Sequence, residues 1–155
     1  MNTNYKQLYT KFTKGLSEKT KDIFDRRFGV KTGSPETLES IGESFGITRE
    51  RVRQIEEAGF SFVRKNNKDS LDGVFAQLAN YFKEQGGFKE EERILEELGG
   101  KSQKPYVLFL LTLGEQFLKV SEKKDYRYFW SNLPIKVIPQ FLQVILDFLQ
   151  LLQNF

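Results

Sequence analysis

The chain has 155 residues, a length that suits one domain of ordinary size or two small ones. It holds no Cys and no His, which excludes disulfides, thiolate nucleophiles, zinc sites built on either residue and any catalytic device that needs an imidazole. Apolar residues make up 39% of the chain, 15 residues are Phe, and the net charge is only +3. These values describe a globular chain that is compatible with a nucleic-acid partner without demanding one.

Charge is unevenly spread. Residues 1–70 carry 14 Lys+Arg against 10 Asp+Glu, a net of +4, and residues 71–155 carry 10 against 11, a net of −1. The polar cluster Asn66-Asn67-Lys68-Asp69-Ser70 lies between two apolar-periodic regions and reads as a linker or turn. Two domains are expected, 1–66 and 70–155. Residues 1–14 lack the apolar core of a signal peptide. The long apolar stretch at 133–155 is broken by Gln140, Gln143, Asp147, Gln150 and Asn154, so no membrane partner is expected and the cytoplasm is the default location.

In chain order, Tyr5, Leu8, Tyr9 and Phe12 follow the i, i+3, i+4, i+7 pattern of a helix over about 5–14. Ser17 caps a second helix, and Gly29 stops it after Phe28. Gly33-Ser34-Pro35 forms a turn. Thr37 caps a short helix bearing Leu38, Ile41 and Phe45, and Gly46 supplies its left-handed end. Thr48 caps the next helix, over about 49–65. Two helices joined by a tight glycine turn make a helix-turn-helix unit.

On the second of these helices Val52, Ile55, Gly59 and Phe62 form the expected inward stripe. Gly59 costs about 1 kcal/mol relative to Ala in mid-helix and is expected to bend or end the helix early. Arg49, Glu50, Arg53, Gln54 and Glu57 share the outward stripe. Arg, Gln and Glu can pair with guanine, adenine and cytosine edges in a major groove, and the first residues of such a helix are the ones that reach bases. Arg51, Arg64 and Lys65 lie on the flank, where phosphates are the expected partners. With the cap Thr48, these are the candidate DNA-binding residues.

The run Thr48-Arg-Glu-Arg-Val-Arg-Gln-Ile-Glu56, preceded by Thr37-Leu-Glu-Ser-Ile-Gly-Glu-Ser-Phe-Gly-Ile47, resembles region 4 of bacterial sigma factors of the primary type. Arg26-Arg-Phe-Gly-Val30 and, more loosely, Leu16–Phe24 extend the resemblance to about residues 5–65. It implies that the second helix enters the major groove of an upstream promoter hexamer. Arg49, Glu50 and Gln54 then stand at base-reading positions, with Arg51 and Arg53 near bases or phosphates. It also implies docking of residues 5–30 on the flap of the RNA polymerase β subunit. The other sigma regions have no counterpart in this sequence, so a complete sigma factor is not expected.

In the second half, Leu71, Val74, Phe75, Leu78, Ala79 and Phe82 mark an amphipathic helix ended by Gly86-Gly87. A helix over 89–98 ends at Gly99-Gly100, and Pro105 opens a third that runs to about 113. Phe117–Val120 and Tyr126–Trp130 read as two strands of a hairpin joined by the charged loop 121–125. Three helices and a hairpin resemble a winged helix of the HARE type, also found in the RNA polymerase delta subunit. Its third helix, Tyr106–Leu113, has no basic side chain, so protein contact rather than DNA is expected of this half. Glu90-Glu91-Glu92 at the start of the second helix suits the helix dipole. A last helix over 135–155 has an apolar arc wider than one contact surface needs, which suits either a helix sunk between both domains or one that dimerises or enters a partner groove.

The expected fold class is mainly α: a sigma region 4-like helix-turn-helix domain, then a winged-helix-like domain with a two-stranded hairpin and a long final helix. The expected function is a sequence-specific DNA-binding transcription regulator of bacterial type, not an enzyme, needing no cofactor and no metal. Its expected partners are double-stranded DNA, the RNA polymerase β flap and a second copy. The alternative is a module that binds the polymerase and regulates it without reading DNA.

Overall fold

The computed structural model describes residues 2–121 and 127–134, together with 144 and 151. The expected loop 121–125 and final helix 135–155 fall largely outside the described residues.

Seven helices and three strands are described. In order they are α1 (Tyr5–Thr13), α2 (Glu18–Phe28), α3 (Leu38–Phe45), α4 (Arg49–Asn66), α5 (Lys68–Glu84), β1 (Phe88–Glu90), α6 (Glu91–Gly99), α7 (Lys104–Leu113), β2 (Leu118–Ser121) and β3 (Tyr128–Ser131). Capping chemistry sets most of the first boundaries. The side chains of Asn4, Ser17, Thr37 and Thr48 each accept a hydrogen bond from the backbone N–H three residues on. Gly29 and Gly46 end α2 and α3 at φ of 71° and 66°, the left-handed conformation that glycine adopts without a Cβ penalty.

Four expectations change. The polar cluster at 66–70 is not a loop, because α4 runs through Asn66 and α5 begins at Lys68. Only Asn67 breaks the path, and both its backbone N–H, 3.1 Å, and its side-chain amide, 2.9 Å, donate to the Val63 carbonyl. Helix α4 runs unbroken from Arg49 to Asn66, and Gly59 does not end it. A Cβ there would lie 2.7 Å from the Phe24 ring and 2.8 Å from the Thr20 methyl, so its absence lets α2 and α4 cross closely. The inward stripe of α4 is Val52, Glu56, Gly59, Phe60 and Val63, whereas Phe62 is 38% exposed. Finally, Lys89 and Glu90 belong to a strand and not to a helix.

That strand makes the sheet three-stranded, in the order β1-β3-β2 and antiparallel throughout. Lys89 and Lys119 flank Trp130 in register, and Phe88 stacks on Phe129 at 4.7 Å between ring centroids. Helix, strand, two helices and a hairpin give the second half a winged-helix-like arrangement.

One large apolar core serves both halves. It joins Tyr5, Tyr9 and Phe12 of α1, Phe24 and Phe28 of α2, and Phe60 and Val63 of α4 to α5, α7 and Trp130. Helix α7 is its centre. Residues 106–111 and Leu113 are all buried, and the Phe109 ring lies 4.9–6.4 Å from those of Tyr9, Phe24, Phe28 and Phe60. A helix apolar on every side belongs inside a core. Buried in this way, α7 has no face to offer a DNA groove. A second, smaller core of Ile23, Ile41 and Val52, with Leu38, Phe45, Ile47 and Ile55 packed on it, belongs to the helix-turn-helix alone. Helix α2 thus faces both cores, with Ile23 in one and Phe24 and Phe28 in the other.

Among the described residues no helix is long and apolar enough to cross a membrane.

Candidate nucleic-acid interface

The turn between α3 and α4 is tight because residue 42 has no side chain. A Cβ at Gly42 would stand 2.7 Å from the Ile47 carbonyl oxygen. With that space empty, the Ile47 N–H reaches the Gly42 carbonyl at 2.9 Å and closes the end of α3. Thr48 then starts α4 by accepting from the Arg51 N–H, 3.1 Å. The first turn of α4 is therefore held from both sides, by the cap and by Val52 and Ile55 on the small core.

Arg49, Glu50, Arg51, Arg53, Gln54 and Glu57 are all exposed. Val52 and Glu56, by contrast, are buried. In the free protein two pairs organise them. Arg53 grips Glu50 with two hydrogen bonds, Nε at 3.0 Å and Nη2 at 2.8 Å. The Arg51 guanidinium donates to the Gln54 side-chain oxygen, 3.2 Å. The Arg53 hydrogen bonds hold the Glu50 carboxyl below its ordinary range.

The flank is divided. Lys65 is exposed. Arg64 is engaged within the protein: its Nε donates to the Leu113 carbonyl at the end of α7, 3.0 Å, and its Nη1 lies 3.5 Å from both Glu57 and Glu115. It joins α4 to α7.

A set of residues behind α4 escaped the reading of periodicity. Glu56 is 8% exposed and accepts from Arg27 Nε of α2, 3.1 Å. Arg27 Nη1 donates in turn to the Glu36 carbonyl, 3.0 Å. The neighbouring Arg26 clasps the Glu36 carboxylate at 2.9 and 2.8 Å and donates to Ser44 Oγ, 3.0 Å. The Glu36 N–H closes the ring on the Arg26 carbonyl, 3.0 Å. Burial raises the Glu56 carboxyl above its ordinary value, with Arg27 pulling against it, while the Arg26 hydrogen bonds lower that of Glu36. A carboxylate at an inward position of α4 was the available signal.

Residues 14–65 match the family model described as sigma-70, region 4. This helix-turn-helix is thus similar to sigma-70 region 4. Relatives of the same kind include the RNA polymerase sigma factor SigA1 of Synechococcus elongatus and the SigA proteins of Microcystis aeruginosa and Synechocystis. Each is 41% identical to this chain over 56 residues. The match takes in 36% of this chain and 13–14% of each relative, so the chain spans about one seventh of their length. Helix α1 and everything after α4 lie outside the matched residues or at their edge. Among the described residues no group of three or more acidic side chains is placed to hold a metal ion.

Proposed function

We propose that the chain is a sequence-specific DNA-binding transcription regulator of the cytoplasm that reads a promoter-type element with α4. Arg49, Glu50, Arg53 and Gln54 would meet base edges in the major groove, with Glu57 one turn further along. Arg51 and Lys65 would meet phosphates, as would any part of Arg64 that α7 leaves available. One observation carries this reading: the polar residues of the region 4 match stand together, exposed, on the first turns of a capped helix. The segment's kind is non-catalytic, which is consistent with a binding protein and not an enzyme.

The polymerase β flap is the second partner that the resemblance implies, through residues 5–30. The apolar side of these helices is covered by α7, which leaves their polar faces for such a contact. A regulator that only binds the flap and a regulator that reads DNA are separated by one triple variant, Arg49→Ala/Arg53→Ala/Gln54→Ala. In fluorescence anisotropy on promoter duplexes the variant is expected to lose sequence-dependent binding while still capturing the flap. Flap capture with no DNA binding by the wild-type chain at any sequence would favour the alternative.

A second copy is the third partner we infer. Val144 and Leu151 are helical, 67% and 61% exposed, and stand seven residues apart in the sequence. In sequence they belong to Val137, Phe141, Val144, Phe148, Leu151 and Phe155, the alternating four-and-three spacing of a heptad seam. The other four of these residues lie outside the described set. A solution mass of the full chain and of Val144→Glu/Leu151→Glu tests it: a dimer that the variant dissociates supports the reading, and a monomeric wild type ends it.

A further inference from the structure

We propose that Glu56 and Arg27 are positioning residues for DNA reading: together they set the rotation of α4 about its own axis relative to α2 and α3. The proposal rests on α4 being the reading helix.

Three observations carry it. First, Glu56 lies within one turn of Arg53 and Gln54 and is buried where they are exposed. Second, its partner reaches two elements at once. Arg27 Nε holds the Glu56 carboxylate at 3.1 Å while Nη1 holds the Glu36 carbonyl at 3.0 Å, one residue before the Thr37 cap of α3. Third, that same Glu36 is fixed by Arg26, which also holds Ser44 of α3. The end of α2 therefore ties the entrance of α3 to the back of α4 through two adjacent arginine forks. A guanidinium fork is planar and directional, so these bonds restrict rotation in a way that the neighbouring apolar contacts do not. Ile23 against Val52 on one side and Phe24 against Phe60 on the other are non-directional apolar contacts.

Energetics favour orientation as the role. A carboxylate at this depth is a poor source of stability, because a buried ion pair gains little over apolar residues of the same volume. Orientation is a different matter. Paired hydrogen bonds to a base edge tolerate only small displacements, so a few degrees of roll in α4 would misalign Arg53 and Gln54 together. The charged groups facing Glu56 are Arg27 from α2 and Arg53 and Glu57 from α4 itself. Arg27 alone among them comes from another element, which makes it the tie.

The test compares wild type with Arg27→Met/Glu56→Leu, a replacement that keeps bulk and leaves net charge unchanged. Duplexes enriched from a random pool by the wild-type chain serve as the specific probe, and a scrambled duplex of equal length serves as the nonspecific one. Folding is checked by thermal unfolding, and binding is measured well below the transition. Expected is a fall of about tenfold in the ratio of specific to nonspecific affinity, with nonspecific affinity and its salt dependence unchanged. If the double variant fails to fold, Arg27→Lys carries the test. It keeps the charge but lacks the fork, and its ratio is expected to fall by a smaller factor. A folded variant with the wild-type ratio overturns the positioning role and leaves the reading of DNA by α4 intact. A wild-type chain with no preference for any duplex overturns that reading, and the positioning role with it.

Discussion

Phe109→Ala tests whether the two halves are one folding unit. The Phe109 side chain is fully buried at the centre of α7, with edge-on rings at 4.9 Å (Tyr9) and 5.4 Å (Phe28) and tilted rings at 5.8 Å (Phe24) and 6.4 Å (Phe60). Truncating a buried Phe to Ala costs about 3–5 kcal/mol through lost transfer energy and the cavity left behind. Edge-on aromatic pairs add about 0.5–1.5 kcal/mol beyond the area they bury, which places this site toward the upper end, about 4–5 kcal/mol. With a urea slope of about 2 kcal/mol/M for a chain of this size, the midpoint should drop by about 2 M. Two probes should move together. Trp130, the only Trp, reports the second half, and helical circular dichroism reports both halves. Coincident transitions that shift together are expected, because Phe109 belongs to α7 while its ring partners belong to α1, α2 and α4. A shift in Trp130 fluorescence alone, or a midpoint change under about 0.5 M, would show that the halves fold separately and refute the shared core.

Four further predictions follow from single residues. Glu50→Gln removes the carboxylate that holds Arg53 and repels phosphate, so the plot of log affinity against log salt should steepen by about one unit; an unchanged slope would show that the pair does not restrain Arg53 on DNA. Gly42→Ala drives a Cβ to within 2.7 Å of a backbone oxygen and should cost about 1–2 kcal/mol, net of its better helix propensity. Gly73→Ala, in open space on α5, should instead gain about 0.5–1 kcal/mol, and urea midpoints read both. The last concerns pH. Burial, opposed by Arg27, raises the Glu56 carboxyl in the folded chain, so the folded state binds this proton more tightly than the unfolded state. Wild-type stability is therefore lost as pH rises from about 4 through the raised value. Glu56→Gln lacks this titration, and its stability relative to wild type should improve over that interval. Parallel pH curves would count against the raised carboxyl.

What was legible in the sequence was what local chemistry decides. Thr37, Thr48 and Ser17 cap helices because their side-chain oxygens meet nearby N–H groups, and Gly29 and Gly46 end helices because of their own backbone freedom. The outward face of α4 follows from a period of 3.6 residues. Features made by distant partners were not legible. Strand β1 exists only because β3, some 40 residues later, accepts it, so local periodicity assigned Lys89 and Glu90 to a helix. Phe60 and Val63 replace Phe62 as the inward residues because α7, which the sequence placed in another domain, packs on that side of α4. The pairing of Glu56 was not legible either, since Arg27 lies 29 positions away.

Selection of bound duplexes from a random pool tests base reading by α4 most directly, with wild type beside Arg53→Ala and Gln54→Ala. One enriched motif is expected for wild type and, for each variant, lost preference at one or two positions of that motif, with about 1–3 kcal/mol of discrimination gone at each. A wild-type pool with no enriched motif, or variants that enrich the same motif with equal strength, would contradict it.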